Sequence, residues 1–191
     1  MNLQFVPIGE SEIETAALAE LLSGDEWPFH ADSRPSRETV EGWLAAGRFT
    51  GSGVRSFWMR VAEADATSQA RRGLADVAVG IVTLRDLADP TPVFDLRLRS
   101  AYRGRGFGSA AVRWLTDYLF TEFPQIRRIE GHTRRDNLAM QRVFERCGYV
   151  REAHHRQAWP SSDGSVHDAF GYAILRQDWL SGDITPVELG P

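Results

Sequence analysis

"RSAYRGRGFGSAAV", residues 99–112, carries more chemical information per residue than any other part of the chain. Gly104, Gly106 and Gly108 alternate through it, Arg103 and Arg105 flank Gly104, and a helix-forming run starts at Ser109. The preceding "PVFDLRLRS" reads as a strand. Strand, glycine-rich turn and helix together make an anion site. The first amides of a helix have no intrahelical partner, and its dipole favours negative charge there. Glycines at 106 and 108 remove side chains that would hold an anion off the backbone. Arg103 and Arg105 are candidates for charge-assisted contacts or for solvated surface positions, and a purely structural turn is the alternative for the glycines. A Walker loop would end Gly-Lys-Ser/Thr, whereas this one ends Phe-Gly-Ser. A dinucleotide fingerprint wants GxGxxG on the first strand of its unit, whereas these glycines fall as GxGxG in mid-chain.

On the C-terminal side, Phe107, Ala111, Trp114, Leu115, Tyr118 and Leu119 recur at helical spacing and predict the buried stripe of an amphipathic helix. "IRRIEGHT" at 126–133 predicts a strand, and "NLAMQRVFERCGY" at 137–149 a short helix ended by Gly148. "YVREAHHRQAWP" and "DAFGYAILRQDWL" predict two strands joined by the turn "SSDGS". On the N-terminal side, "DVAVGIVTLRD" and "VRSFWMRVAE" are strand-like, with "ADATSQARRG" at 64–73 between them reading as a hairpin loop. Ser36 to Gly47 predicts a helix with Val40, Trp43 and Leu44 on one face. Ser11 and Glu14 form a capping-box pattern ahead of Ile13, Ala17, Leu18, Leu21 and Leu22, and residues 3–8 read as a first strand. The order is strand, two helices, three strands, helix, strand, helix, two strands. It predicts a mixed α/β layer fold, antiparallel early, with a crossover around the glycine turn.

A chain of 191 residues is one ordinary domain, and 42% hydrophobic with 25% charged residues is globular. A formal charge of −4 argues against coating nucleic acid or an anionic membrane through the overall field, although Arg97–Arg105 is a local basic cluster. Cys147 is the single cysteine, so neither an intramolecular disulfide nor a cysteine-rich metal site is expected. His30, His132, His154, His155 and His167 are scattered, and their spacing suggests no metal. "MNLQFVPIGESE" has no basic region or apolar core, and no run of about 18 apolar residues occurs. A cytoplasmic location is therefore expected. Apolar strand edges and six tryptophans permit a homodimer without requiring one.

Read together as "RGRGFG", Arg103, Gly106 and Gly108 resemble the R/Q-x-x-G-x-G/A loop of the GNAT acyltransferases. "DNLAMQRVFERCGYVRE", 136–152, is similar to the family's second signature, an Asn-initiated helix ending at Gly-aromatic. "HDAFGYAILRQDW" resembles the closing strand of the RimJ/RimL-type branch. The three occur in family order over residues 76–179, while 1–75 match only in layout. The resemblance implies a GNAT-like fold, a mostly antiparallel mixed sheet of about seven strands flanked by about four helices. It implies one domain over 1–191, with a first strand and acceptor-side helices in 1–50 and an acetyl-CoA core in 76–179. The implied donor is acetyl-CoA. Its pyrophosphate would lie on the amides of Arg103, Gly104, Arg105, Gly106, Phe107 and Gly108, with Ser109 opening the helix. Leu96, Leu98 and Arg99 would pair their backbone with the pantetheine arm, and a strand amide near Leu98 would serve the oxyanion. Asn137 would touch the cofactor, cap its helix, or both.

The implied reaction is transfer of acetyl to a primary amine, on a protein N-terminus or an aminated small molecule. By reference values an α-amino group is about 10% neutral at pH 7, and a lysine only about one part in 10³ to 10⁴. A general base helps accordingly. Asp95, Glu130 and His132 are the candidates on adjoining strands, with an arginine pair as the alternative for Asp95 and a hydrogen-bonded structural role for His132. Many GNAT enzymes place a tyrosine where this chain has Phe144, and some RimJ/RimL relatives a serine where it has Met140, so the proton donor for the thiolate falls to water, Tyr102 or His132. Trp27, Phe29, His30 and Arg156 are the candidates for acceptor binding, and packing is the alternative for the tryptophan. A non-catalytic CoA-binding or regulatory module is the competing expectation.

Overall fold

The computed structural model describes residues 3–62 and 76–187, so the hairpin loop expected at 64–73 lies outside the described residues. Strand β1 (Leu3–Pro7) is followed by helices α1 (Glu12–Ser23) and α2 (Arg37–Ala45) and strands β2 (Arg55–Ala62), β3 (Asp76–Arg85) and β4 (Val93–Leu98). Helix α3 (Phe107–Glu122), strand β5 (Arg128–Arg134), helix α4 (Leu138–Arg146), strands β6 (Val150–Pro160) and β7 (Val166–Leu175) and helix α5 (Arg176–Ser181) complete the order. One seven-stranded sheet runs β1-β2-β3-β4-β5-β7-β6, antiparallel throughout except where β4 meets β5. This is the mixed α/β layer fold that the element order predicts, with the seven mostly antiparallel strands that the resemblance implies.

Capping sets the helix starts. Ser11 Oγ accepts the Glu14 amide, and Ser36 Oγ accepts the Thr39 amide. Gly148, at φ +81°, takes the left-handed position just past α4. One core lies between the sheet and α3 and α4, around Phe107, Leu115, Leu119, Phe144 and Tyr172. The other lies on the opposite face, where α1 and α2 bring Leu18, Leu22, Trp27 and Val40 against Trp58 and Ile81.

Two expectations need correction. Of the apolar residues at helical spacing in α1, Ile13 is 82% exposed and Ala17 is exposed too, because the helix makes its core contact only from Leu18 onward. The last strand ends at Leu175 rather than running through "RQDWL", which forms α5. The Arg176 side chain explains the turn. Its guanidinium donates to the carbonyls of Phe120 (2.7 Å), Phe123 (2.7 Å) and Ile126 (2.6 Å), satisfying acceptors that α3 leaves open at its C-terminal end.

The feature that positions the site is a split in the sheet. Strands β4 and β5 share a single register pair, Val93 with Glu130, beside the Glu130 amide bonded to Pro92 O at 3.0 Å. Beyond it the strands diverge, so the β5-facing edge of β4 from Asp95 to Leu98 has no ladder partner.

Candidate active site

At the mouth of the split the chain leaves β4 through a short 3₁₀ turn, Ser100–Tyr102, and enters the glycine turn. Gly104 (φ +71°) and Gly106 (φ +84°) are left-handed, a conformation that a side chain would strain. Helix α3 then starts at Phe107 with no side chain capping it, and its first internal bond runs from the Ala110 amide to Gly106 O at 3.1 Å. Among the described residues, none of the amides from Gly104 to Ser109 donates to another backbone group. Six N–H groups at the positive end of a helix dipole are thus left for an outside acceptor.

These groups open onto a cavity of about 350 Å³. The glycine turn supplies Arg103, Gly104, Gly106, Gly108 and Ser109 to one wall, and Leu96 and Leu98 of β4 form the floor. Trp27, Pro28, Phe29 and His30, from the loop after α1, close one side. Asn137 and α4 close the other with Ala139, Met140, Arg142, Val143 and Arg146. The α4 contribution was missed in the sequence, although 139, 142, 143 and 146 carry the i, i+3, i+4, i+7 signature of one helix face. It brings two exposed arginines, Arg142 and Arg146, to the rim.

The side chains of several expected residues make contacts within the chain. The Arg103 guanidinium is bonded to the chain itself: Nε to Leu98 O at 2.9 Å, Nη2 to Glu26 O, with Asp25 at 3.9 Å. Asp25 also accepts the Ser100 amide (3.1 and 3.2 Å) and pairs with Arg99 (3.7 Å). Phe107 buries its ring in the core, and Arg105 lies over the rings of Tyr102 and Phe107. Asn137 caps α4 by accepting the Met140 amide (3.2 Å), while its Nδ2 donates to Thr133 Oγ1 (3.0 Å). Arg156 is exposed on β6, away from the cavity. Glu130 pairs with Arg128 at 2.8 Å, and His132 faces His155 with ring centroids 5.7 Å apart. Burial, then the nearby His155 and Arg128, lower His132 despite the opposing pull of Glu130. Neither Glu130 nor His132 lines the cavity. Phe144 is fully buried and stacked on Tyr172 at 4.6 Å, and Tyr102 is buried, so neither ring brings a hydroxyl to the cavity.

One titratable residue that lines the cavity, His30, is paired with Asp95, and the two were expected as separate residues. His30 Nε2 lies 3.2 Å from Asp95 Oδ1, joining the α1–α2 loop to the middle of β4. Burial would raise the Asp95 carboxyl, but the charges of Arg97, His30 and Arg85 and the hydrogen bond from His30 outweigh it and hold it well below the usual carboxylate range. An ionised carboxylate can only accept, so Nε2 carries a hydrogen in that bond. Nδ1 is buried and has no hydrogen-bond partner. The arrangement is that of an oriented imidazole beside an open strand edge and a set of free amides.

The family model described as "Acetyltransferase (GNAT) domain" matches residues 2–150. No curated protein matches the chain in sequence. Among solved structures, a spermidine N-acetyltransferase SpeG chimera from Vibrio cholerae and hSSAT superposes with TM-score 0.72 at 18% identity, covering 94% of this chain and 99% of that one. The spermidine N-acetyltransferase from Vibrio cholerae, solved in complex with CoA and spermine, superposes with TM-score 0.67 at 19% identity, covering 94% and 97%. At such identity the likeness is one of fold.

Proposed function

Because the chain belongs to the acetyltransferase (GNAT) domain family, we propose that it is an acetyl-CoA-dependent N-acetyltransferase of the RimJ/RimL-like branch acting on a primary amine. The observation that carries this reading is the meeting, in one cavity, of the unbonded amides of Gly104–Ser109 with the unpaired edge of β4. The turn amides hold a diphosphate, and Arg142 and Arg146 add cations at the rim. The edge at Leu96 and Leu98 offers backbone groups to an extended pantetheine arm, and an N–H near Leu98 takes the carbonyl oxygen as it gains charge. Acetyl-CoA supplies the thioester.

His30 and Asp95 stand on the acceptor side. One proton leaves the incoming ammonium on the side where His30 lines the cavity, so that the neutral amine attacks the thioester carbon. A C–N bond forms and the C–S bond breaks. The second proton leaves the nitrogen for the thiolate, through water where this chain has Phe144 in place of a tyrosine. The products are the amide, CoA thiol and one released proton. Residues 1–50 then form the acceptor side and 76–179 the donor core of a single domain.

Thiol release from acetyl-CoA by the purified protein, assayed across a panel of primary amines, tests the reading. Amine-dependent release is expected, with His30→Gln lowering kcat by about 10²-fold or more and leaving the KM for acetyl-CoA unchanged. Tight CoA binding with no release for any amine would replace the enzyme with a non-catalytic CoA-binding module, the reading that the buried, hydroxyl-free Phe144 favours.

A further inference from the structure

The charge around Asp95 is out of balance. Arg97 is buried, its side chain only 9% exposed, yet its Nε and Nη1 have no hydrogen-bond partner. Its contacts to Asp95, 3.4 Å from Nε and 3.5 Å from Nη2, are long for a charge-assisted bond. The guanidinium lies over the rings of both Trp27 and Trp43, 5.7 Å from each centroid. Arg48 lies over Trp43 as well, at 5.3 Å, and Arg85 stands on the same sheet face, at the β3 position paired with Val93. Burial lowers Arg85, Asp95 opposes this, and the charges of Arg48 and Arg97 lower it further, which places the three guanidinia within one another's field. The acids facing them are Asp95, which His30 already shares, and Asp86 at the end of β3.

Elsewhere on this face the carboxylates are already engaged. Glu130 and Glu152 both bind Arg128, at 2.8 and 2.9 Å, and Asp136 binds Arg134 at 2.6 Å. Among the described residues, three arginines against two carboxylates leave one positive charge in excess, beside donors that burial makes costly to leave unbonded. Of the pair, His30 lines the cavity, and both side chains are about one-quarter exposed (23% and 25%). A polycationic acceptor would add to this excess, whereas a single carboxylate cancels it.

We propose that the acceptor is an amine that also carries a carboxylate, the carboxylate bound by Arg97 and Arg85 while the amine faces His30. This rests on the acetyltransferase reading and narrows its substrate to amino-acid-like zwitterions.

The test is thiol release with acetyl-CoA for a panel of amino acids, each beside its decarboxylated amine, with spermidine included. The carboxylated member of at least one pair should be favoured in kcat/KM by about 10- to 100-fold. Arg85→Gln and Arg97→Gln should collapse that ratio towards one. Arg85 is only half-buried, so its variant keeps the test alive if Arg97→Gln does not fold. Preference for the decarboxylated amines or for spermidine overturns the proposal while leaving the acetyltransferase reading standing. Should no amine release thiol, that reading is what fails, and thermal shift with the same panel decides the anion site. Stabilisation by carboxylated members alone, lost in Arg85→Gln, upholds it. Equal stabilisation by both members of each pair, or none, overturns it.

Discussion

Asp95 joins the energetics of the fold to its chemistry. Its carboxyl is held below the usual range by Arg97, His30 and Arg85 in spite of burial. The unfolded chain returns it to about 3.9. A depressed acid stabilises the fold fully above the unfolded value and loses that contribution as pH falls through the lower folded value. Asp95→Asn should therefore show a stability deficit, measured by urea unfolding, that is constant above about pH 5 and shrinks below about pH 4. A deficit independent of pH down to acid unfolding would mean that the charge is not what the site uses. The pairing of Asp95 with His30 was not legible beforehand, because the residues lie 65 positions apart and no local period relates a loop after α1 to the middle of β4. The glycine turn was legible for the opposite reason: Gly104 and Gly106 answer a purely local demand for positive φ.

Between elements, the fit of α4 onto the sheet depends on Gly131 of β5. A Cβ there would stand 2.5 Å from two carbons of the Phe144 ring and 3.0 Å from the Phe94 ring. Phe144 has no room to retreat, being fully buried and stacked on Tyr172. Gly131→Ala should thus destabilise by about 1–3 kcal/mol, seen as a fall of several degrees in Tm. An unchanged Tm would show that α4 can shift away from β5, and with it the cavity wall of Met140 and Arg142. Helix α3 was readable because Phe107, Ala111, Leu115 and Leu119 keep one period along a single buried face. Helix α5 was not, because what turns the chain at Leu175 is the Arg176 side chain reaching carbonyls some fifty residues earlier.

Across the whole molecule, the two sides of the cavity belong to parts of the chain that only the folded sheet brings together. Layout alone could suggest seven strands, but the placement of β7 inside β6 follows from long-range pairing with β5. Beside the His30–Asp95 bond, the halves are tied at the glycine turn. Asp25 receives the Ser100 amide and Arg99, while Arg103 reaches back to Glu26 O and Leu98 O, so the acceptor-side loop and the diphosphate turn are bonded through the same two side chains. Loosening that tie moves Trp27 and His30 relative to Gly104 and Gly106, which line the same cavity. Arg103→Ala and Asp25→Ala should each raise KM for the amine and for acetyl-CoA together, by about tenfold if one charged hydrogen bond is lost, in two-substrate steady-state kinetics. A guanidinium acting as a phosphate ligand predicts otherwise: Arg103→Ala would raise KM for acetyl-CoA alone, and Asp25→Ala, by freeing the arginine, would lower it. The two variants changing in the same direction for both substrates is what a tie between the halves demands, and a donor-only effect of opposite sign would return Arg103 to the diphosphate.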